Sequence, residues 1–206
     1  MVTSGSVHDD DPGASTVLEA AEKCFKQFGI AKTTMGDVAR TAGISRATLY
    51  RQFADRESLV LACVMRRSRM NIAPAREYIA NWPDFADRVV EGICHNVQRG
   101  HRDPLVGLLV SPDELSTSND LLIRSGASVQ LTRELWEPIF REAQLLGEMR
   151  KDVDLDLLCE WIADLEIMYI SQLATAEGDP LARFRTKLRA FLVPTLLPAP
   201  GPDDDH

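Results

Sequence analysis

Within residues 34–53, two short stretches of helical patterning flank a single glycine, and each opens on its own capping residue. Thr34 stands at the start of a helix over Met35–Ala42 whose Val38 and Ala39 face inward. Ala42-Gly43-Ile44 makes a tight turn, Gly43 supplying the left-handed conformation that side chains resist. Ser45 caps a second helix, Arg46–Phe53, and Asp55 caps a third that begins at Arg56. Two short helices around a turn of three or four residues are the helix-turn-helix pattern, in which the second helix enters the DNA major groove.

The flanking chain carries helical periodicity and almost no strand alternation, so the fold class is all-α. The first helix is predicted over 15–28: Ser15 or Thr16 can cap it, Glu19 completes a capping box with Thr16, and Gly29 ends it. A helix from about 56 toward 80 is interrupted by Pro74, which removes an internal hydrogen bond. Others are predicted over 82–99, with Gly100 at the end, and over 104–110. Ser111-Pro112-x-Glu114 reads as the start of a further helix. Helices over 127–146, where Pro138 predicts a bend, over 155–176 and over 180–196 complete the chain. Residues 1–13 and 198–206 are polar and acidic and are expected to be disordered tails. The expected domains are 14–55, which holds the helix-turn-helix, and 56–197, a helical remainder.

A net charge of −8 over 206 residues argues against a nucleic-acid partner until it is divided along the chain. Residues 14–70 hold ten Lys/Arg against five acids, a net +5, whereas residues 71–206 carry −10. A basic module of that size is the footprint of phosphate binding. Cys24, Cys63, Cys94 and Cys159 lie far apart, which disfavours a zinc site or a dithiol motif and fits reduced thiols. The four histidines make no HxxxH pattern, so no metal and no cofactor is expected. MVTSGSVHDDDPG has neither a basic nor an apolar leader segment, and no apolar run reaches the roughly 20 residues of a membrane span, so no membrane partner and a cytoplasmic location are expected.

The run VLEAAEKCFKQFGIAKTTMGDVARTAGISRATLYRQFADRESLV resembles the N-terminal domain of the tetracycline-repressor (TetR) family over roughly residues 15–62. The matching features are the Ala-Ala and Phe of the first helix, Gly29, and Thr33-Thr34 ahead of Asp37-Val38-Ala39. The Ala42-Gly43-Ile44-Ser45 turn, Thr48-Leu49-Tyr50-x-x-Phe53 and Arg56-Glu57-x-Leu59 complete the string. Gly36 departs from the longer, often charged residue usual there, at a cost of about 1 kcal/mol in a helix interior. The resemblance implies a three-helix DNA-binding domain followed by a helical ligand-binding and dimerisation domain.

Each site residue has a functional reading beside a plain one. Ser45 is a helix cap on either. Arg46 can reach a guanine edge with its two-pronged donors, or equally make a solvated phosphate contact. Thr48 can touch a base or a thymine methyl. Tyr50 resembles the family tyrosine that bonds a phosphate, the alternative being a core tyrosine. Arg51 and Arg56 are phosphate candidates, or exposed arginines serving solubility. The Thr34 hydroxyl at its helix start suits a phosphate; Lys32 is a weaker candidate.

One such module reads few base pairs, so a homodimer on a palindromic operator in double-stranded DNA is expected. By the resemblance, helices 127–146 and 155–176 form the dimer interface, with Ile162, Leu165 and Tyr169 on the buried stripe, intramolecular core being the competing reading. The resemblance also implies, in the acidic C-terminal region, a pocket for a small, largely apolar effector. Its candidate residues are Phe85, Val89, Trp136, Phe140, Trp161, Leu165, Met168 and Tyr169; any one of them can equally be plain core. His95 and His101 read as ordinary residues, and the cysteines as small buried hydrophobes. By the same resemblance, ligand binding is expected to shift the helix that starts at Arg56. The leading reading is a ligand-responsive repressor. The alternatives are a structural DNA-binding protein without effector, or an enzyme with its site in the C-terminal bundle, for which no catalytic arrangement is found.

Overall fold

Side-chain caps decide where the first helices start. A computed structural model describes residues 12–109, 124–173 and 178–199. Its helices are α1 (Pro12–Phe28), α2 (Met35–Ala42), α3 (Arg46–Gln52), α4 (Arg56–Met70), α5 (Ile72–Ala80) and α6 (Phe85–Arg102). They continue with α7 (Pro104–Leu109), α8 (Ala127–Leu146), α9 (Leu155–Leu173), α10 (Pro180–Lys187) and α11 (Val193–Leu196), a π-helical turn over Leu188–Leu192 joining the last two. No strand is found among the described residues, and the class is all-α. Thr34, Ser45, Asp55 and Asp84 each accept a hydrogen bond from the N–H three residues on, the N-cap geometry that satisfies a helix's first free donors.

Several helix ends differ from expectation, each for a local reason. Helix α1 already begins at Pro12, so Ser15 and Thr16 lie inside it and do not cap it. Glu19 turns instead toward Arg66, at 3.7 Å. The helix expected over 56–80 breaks at Asn71, because the ring of Pro74 excludes the carbonyl four residues back, that of Met70. Pro74 then sits in the first turn of α5, where no intrahelical donor is needed. Gly100 does not end α6 but lies within it; a Cβ there would stand 2.5 Å from Cδ1 of Ile170, so the glycine admits α9. Pro138 stands inside an uninterrupted α8. The helix expected over 180–196 is divided: the N–H of Val193 reaches back to Leu188, widening the turn ahead of Pro194. The helix expected from Ser111 and the end of the one expected over 155–176 lie outside the described residues.

Two apolar cores result. The N-terminal core packs Leu18 and Phe25 of α1 with Val38, Leu49 and Phe53. It continues past residue 55, through Leu59, Val60, Cys63 and Val64 of α4, and takes Leu105 from α7. The C-terminal core is built on α6, α8 and α9 around the stacked rings of Trp136 and Phe140, both fully buried, with centroids 5.2 Å apart. Between the cores, α4 carries three arginines outward: Arg66 to Glu22 of α1, Arg67 to both Glu22 and Asp103, and Arg69 to Glu134 of α8.

Helix α6 makes its closest approach to α5 and α8 at Gly92, where a Cβ would stand 2.5 Å from Trp136 and 2.8 Å from Ile79, both in the core. Gly92→Ala is therefore expected to destabilise the protein by about 1–3 kcal/mol through overpacking, against the intrinsic helix preference for alanine. Urea denaturation checks this; equal or greater stability would show that α6 is free to shift at that point.

Candidate functional site

The helix-turn-helix is held by local bonds. The Thr34 hydroxyl accepts from the Asp37 N–H at 3.2 Å and donates to Asp37 Oδ2 at 2.6 Å, while the Thr34 N–H also donates to that carboxylate. These bonds, with Arg40 nearby, hold the Asp37 carboxyl below its usual range. Gly43, at φ +69°, turns the chain, and Ser45 Oγ accepts from the Thr48 N–H at 3.1 Å. Leu49 is fully buried and Phe53 nearly so. Fixing that face inward leaves Arg46, Ala47, Tyr50 and Arg51 on the outward face of α3. Tyr50, 51% exposed, is no core tyrosine.

Three expectations change in detail. Arg56 gives Nη1 to the Ala31 carbonyl at 2.6 Å, so it pins the α1–α2 loop. The Thr34 hydroxyl is spent in its cap. Arg66, Arg67 and Arg69, counted in the basic footprint, are bound to Glu22, Asp103 and Glu134, away from α3. At Gly36, a Cβ would meet the guanidinium of Arg46, the movable end of a long side chain that lies across α2 there.

A second feature is a cavity of about 160 Å³ between the two cores. Its walls come from α4, the α4–α5 break, α5, α6, α7, α8 and α9, and include Ser68, Asn71, His95, Asn96, Thr132 and Glu166. None of the eight candidate effector residues lines it. Phe85, Val89, Trp136, Phe140 and Tyr169 are consumed in the C-terminal core, Leu165 packs against that core, and Trp161 and Met168 stay 44% and 43% exposed. Aromatic rings at helical spacing marked the core, whereas the void opens where the α4–α5 break keeps side chains apart. The only sequence trace of it is Pro74. His95, read as an ordinary residue, lies on the wall with its ring stacked on Tyr78 at 4.1 Å. Burial, then Arg99 and Arg102, keep its imidazole below the usual pKa. Burial also pushes the Cys63 and Cys94 thiols up to about 12 and Cys159 to about 11; all four cysteines are free and buried.

The cavity touches the link to the DNA-reading module. Asp103 lines it, accepts Arg67 Nη2 at 2.6 Å, and caps α7 by accepting from the N–H groups of Leu105 and Val106. Arg67 reaches Glu22 of α1 at 3.0 Å with its other terminal nitrogen. Asn71, at the helix break, accepts from Arg99, also on the wall. On the far side of α9, the stripe expected at a dimer interface is rotated: Ile162 and Tyr169 point into the chain's own core, and Leu157, Trp161 and Met168 face out. No cluster of metal-ligating side chains and no helix able to cross a membrane occurs among the described residues.

Residues 17–63 match the model of the tetR family of bacterial regulatory proteins. An uncharacterized HTH-type transcriptional regulator of Mycobacterium tuberculosis is 26% identical, over 92% of this chain and 93% of that one. Among solved structures, the TetR family repressor AlkX of a Dietzia strain, implicated in biodegradation of n-alkanes, is 25% identical at a TM-score of 0.62, covering 88% of this chain and 95% of that one. The TetR family repressor FadR of Thermus thermophilus, in complex with lauroyl-CoA, shares the fold at 19% identity and a TM-score of 0.65, covering 94% and 100%. The helix-turn-helix over residues 17–63 is thus that of the tetR family, and the chain is similar to bacterial transcriptional regulators, TetR family repressors among them, along nine-tenths of its length.

Proposed function

We propose that the protein is a homodimeric transcriptional repressor that reads a palindromic operator through α3 and releases it when a small molecule fills the cavity. The observation that carries this reading is Asp103, which lines the cavity and, through Arg67, holds Glu22 of the DNA-reading module. Arg46 is the base-reading residue and Thr48 its neighbour on the groove; Tyr50 and Arg51 contact phosphates. Ser45 and Thr34 set the helix starts, and Arg56 holds the loop between α1 and α2. The dimer forms on the outward stripe of α9 with the neighbouring face of α8. Such a pair sets the two α3 helices about 34–36 Å apart, one turn of DNA.

Release needs a ligand that favours one state over the other. Moving the balance from 99:1 to 1:99 takes about 5.5 kcal/mol, which corresponds to about 220 Å² of apolar ligand surface buried in one state and not in the other, at roughly 25 cal/mol per Å².

Arg46→Ala is expected to relax base preference at one position of each half-site by about 1–3 kcal/mol, whereas Tyr50→Phe weakens binding on all sequences alike. Selection of bound DNA from a random pool separates the two, and unchanged profiles for both would displace α3 from the groove. Trp161→Glu is expected to turn the dimer into monomers in light scattering and abolish tight operator binding; a variant still dimeric would move the interface elsewhere. Asp103→Asn is expected to keep operator binding but raise, by about tenfold, the effector concentration that releases DNA. A fluorescence-anisotropy release curve identical to wild type would remove the Asp103–Arg67 link from the signal.

A further inference from the structure

The polar groups around the cavity fall into two sets. Towards α7 they are already matched: Asp103 is held by Arg67 and two backbone N–H groups, and Arg99 is bonded to Asn71. On α9 they are not. Glu166 receives one donor, Asn96 Nδ2, at 3.0 Å from Oε1, and no basic side chain among the described residues pairs with it. The Trp136 indole N–H near it is buried without a partner of normal geometry, yet still favours the ionised carboxyl. Around this group the walls are hydrocarbon, from Ile72, Leu131, Leu135, Ala163 and Ile167, with the Thr132 hydroxyl among them. The volume, about 160 Å³, is close to that of the engineered apolar cavity of roughly 150 Å³ that takes up benzene.

We propose that the effector is a single-ring-sized, uncharged or cationic molecule bearing a hydroxyl or amino group that donates a hydrogen bond to Glu166, its hydrocarbon body lying against Leu131, Leu135 and Ile167. This rests on the repressor reading above and adds the ligand's chemistry to it. The site offers an acceptor and an acidic charge where the ligand's polar end must sit, and a carboxylate beside hydrocarbon walls favours a ligand that donates to it. A carboxylate in the same place would set two anions against each other at low dielectric. Among the described residues, the charged and titratable groups facing the cavity are His95 and Arg99 from α6, Asp103 at its end, and Glu166 itself; the cavity-lining residues of α4, α5, α7 and α8 carry no charge. Asp103 is neutralised, Arg99 is anchored at Asn71, and His95 is held towards its neutral form. Burial pushes the Glu166 carboxyl up to about 7, with Asn96 pulling against it, so a nearby ammonium would hold it ionised and a second anion would drive a proton onto it. A long acyl thioester such as the one bound by the Thermus FadR greatly exceeds this volume.

The test uses the full chain and four ligands with the same ring, benzyl alcohol, benzylamine, benzoate and toluene, titrated by calorimetry at pH 8.5, where Glu166 is ionised and must take up a proton before it can receive a carboxylate. Benzyl alcohol and benzylamine are expected to bind at least about tenfold more tightly than toluene and benzoate. In Glu166→Gln, shown folded by its melting curve, benzylamine is expected to lose that advantage and benzoate to draw level with it. Benzoate binding as tightly as benzyl alcohol to the wild type overturns the proposal, and so does an unchanged ranking in the variant. Failure of all four to bind also overturns it, because the cavity then does not accept a single ring. Operator binding, measured in parallel by anisotropy, keeps the two readings apart. A protein that binds selected DNA but ignores the series refutes the ligand class alone, and one that prefers no DNA sequence refutes the repressor reading.

Discussion

Arg67 holds two carboxylates at once, Glu22 of α1 and Asp103 at the end of α6, and the relation between the two cores depends on that fork. The guanidinium is planar and always charged, so one side chain can present separate edges to separate helices. Charged hydrogen bonds of this kind contribute about 1.5–3 kcal/mol, and loss of the cation would leave two acids facing each other across a half-buried seam. Asp103 is tied as firmly from its other side, since it also caps α7. Through α7, Leu105 enters the N-terminal core. A displacement of Asp103 therefore reaches the DNA-reading module by an ion pair and by an apolar contact together.

The DNA-reading module was legible because its information is local. Thr34, Gly43, Ser45 and Asp55 each act within three or four residues, so the order of residue types determines the geometry without knowledge of the rest. Charge along the chain was legible only in outline. Arg66, Arg67 and Arg69 belong to the basic stretch in sequence, but their partners are tens of residues away, and the balance of a segment cannot show where its cations are spent.

The cavity was illegible for the complementary reason. A void is defined by what six or seven helices fail to fill, and no single periodicity records it. Glu166 is one acid in an acidic helix, distinguished only by lining the cavity with Asn96 as its donor and hydrocarbon walls beside it. Aromatic residues at helical spacing mark the packed layer and not the void: Trp136 and Phe140 stack tightly, with ring centroids 5.2 Å apart. The same physics explains Trp161 and Met168. They share the composition of the core but lie on the opposite face of α9, and the phase of a long apolar helix with a weak stripe is poorly constrained by sequence alone.

That the space lies at the α4–α5 break rather than in the aromatic centre bears on how a small ligand can act. Close-packed interiors respond to a guest by resisting it, whereas a helix break can change its angle by small rotations at a few residues. Pro74 ends α4 at Met70, and Asn71 then stands between two helices, held by Arg99 from the opposite wall. On the proposed reading, a molecule entering here would press on the junction itself and on Asp103, which lines the same cavity and is bonded to Arg67. The stacked rings of Trp136 and Phe140, which do not line the cavity, stay close-packed on this proposed reading, and the α4–α5 junction is the part left to yield.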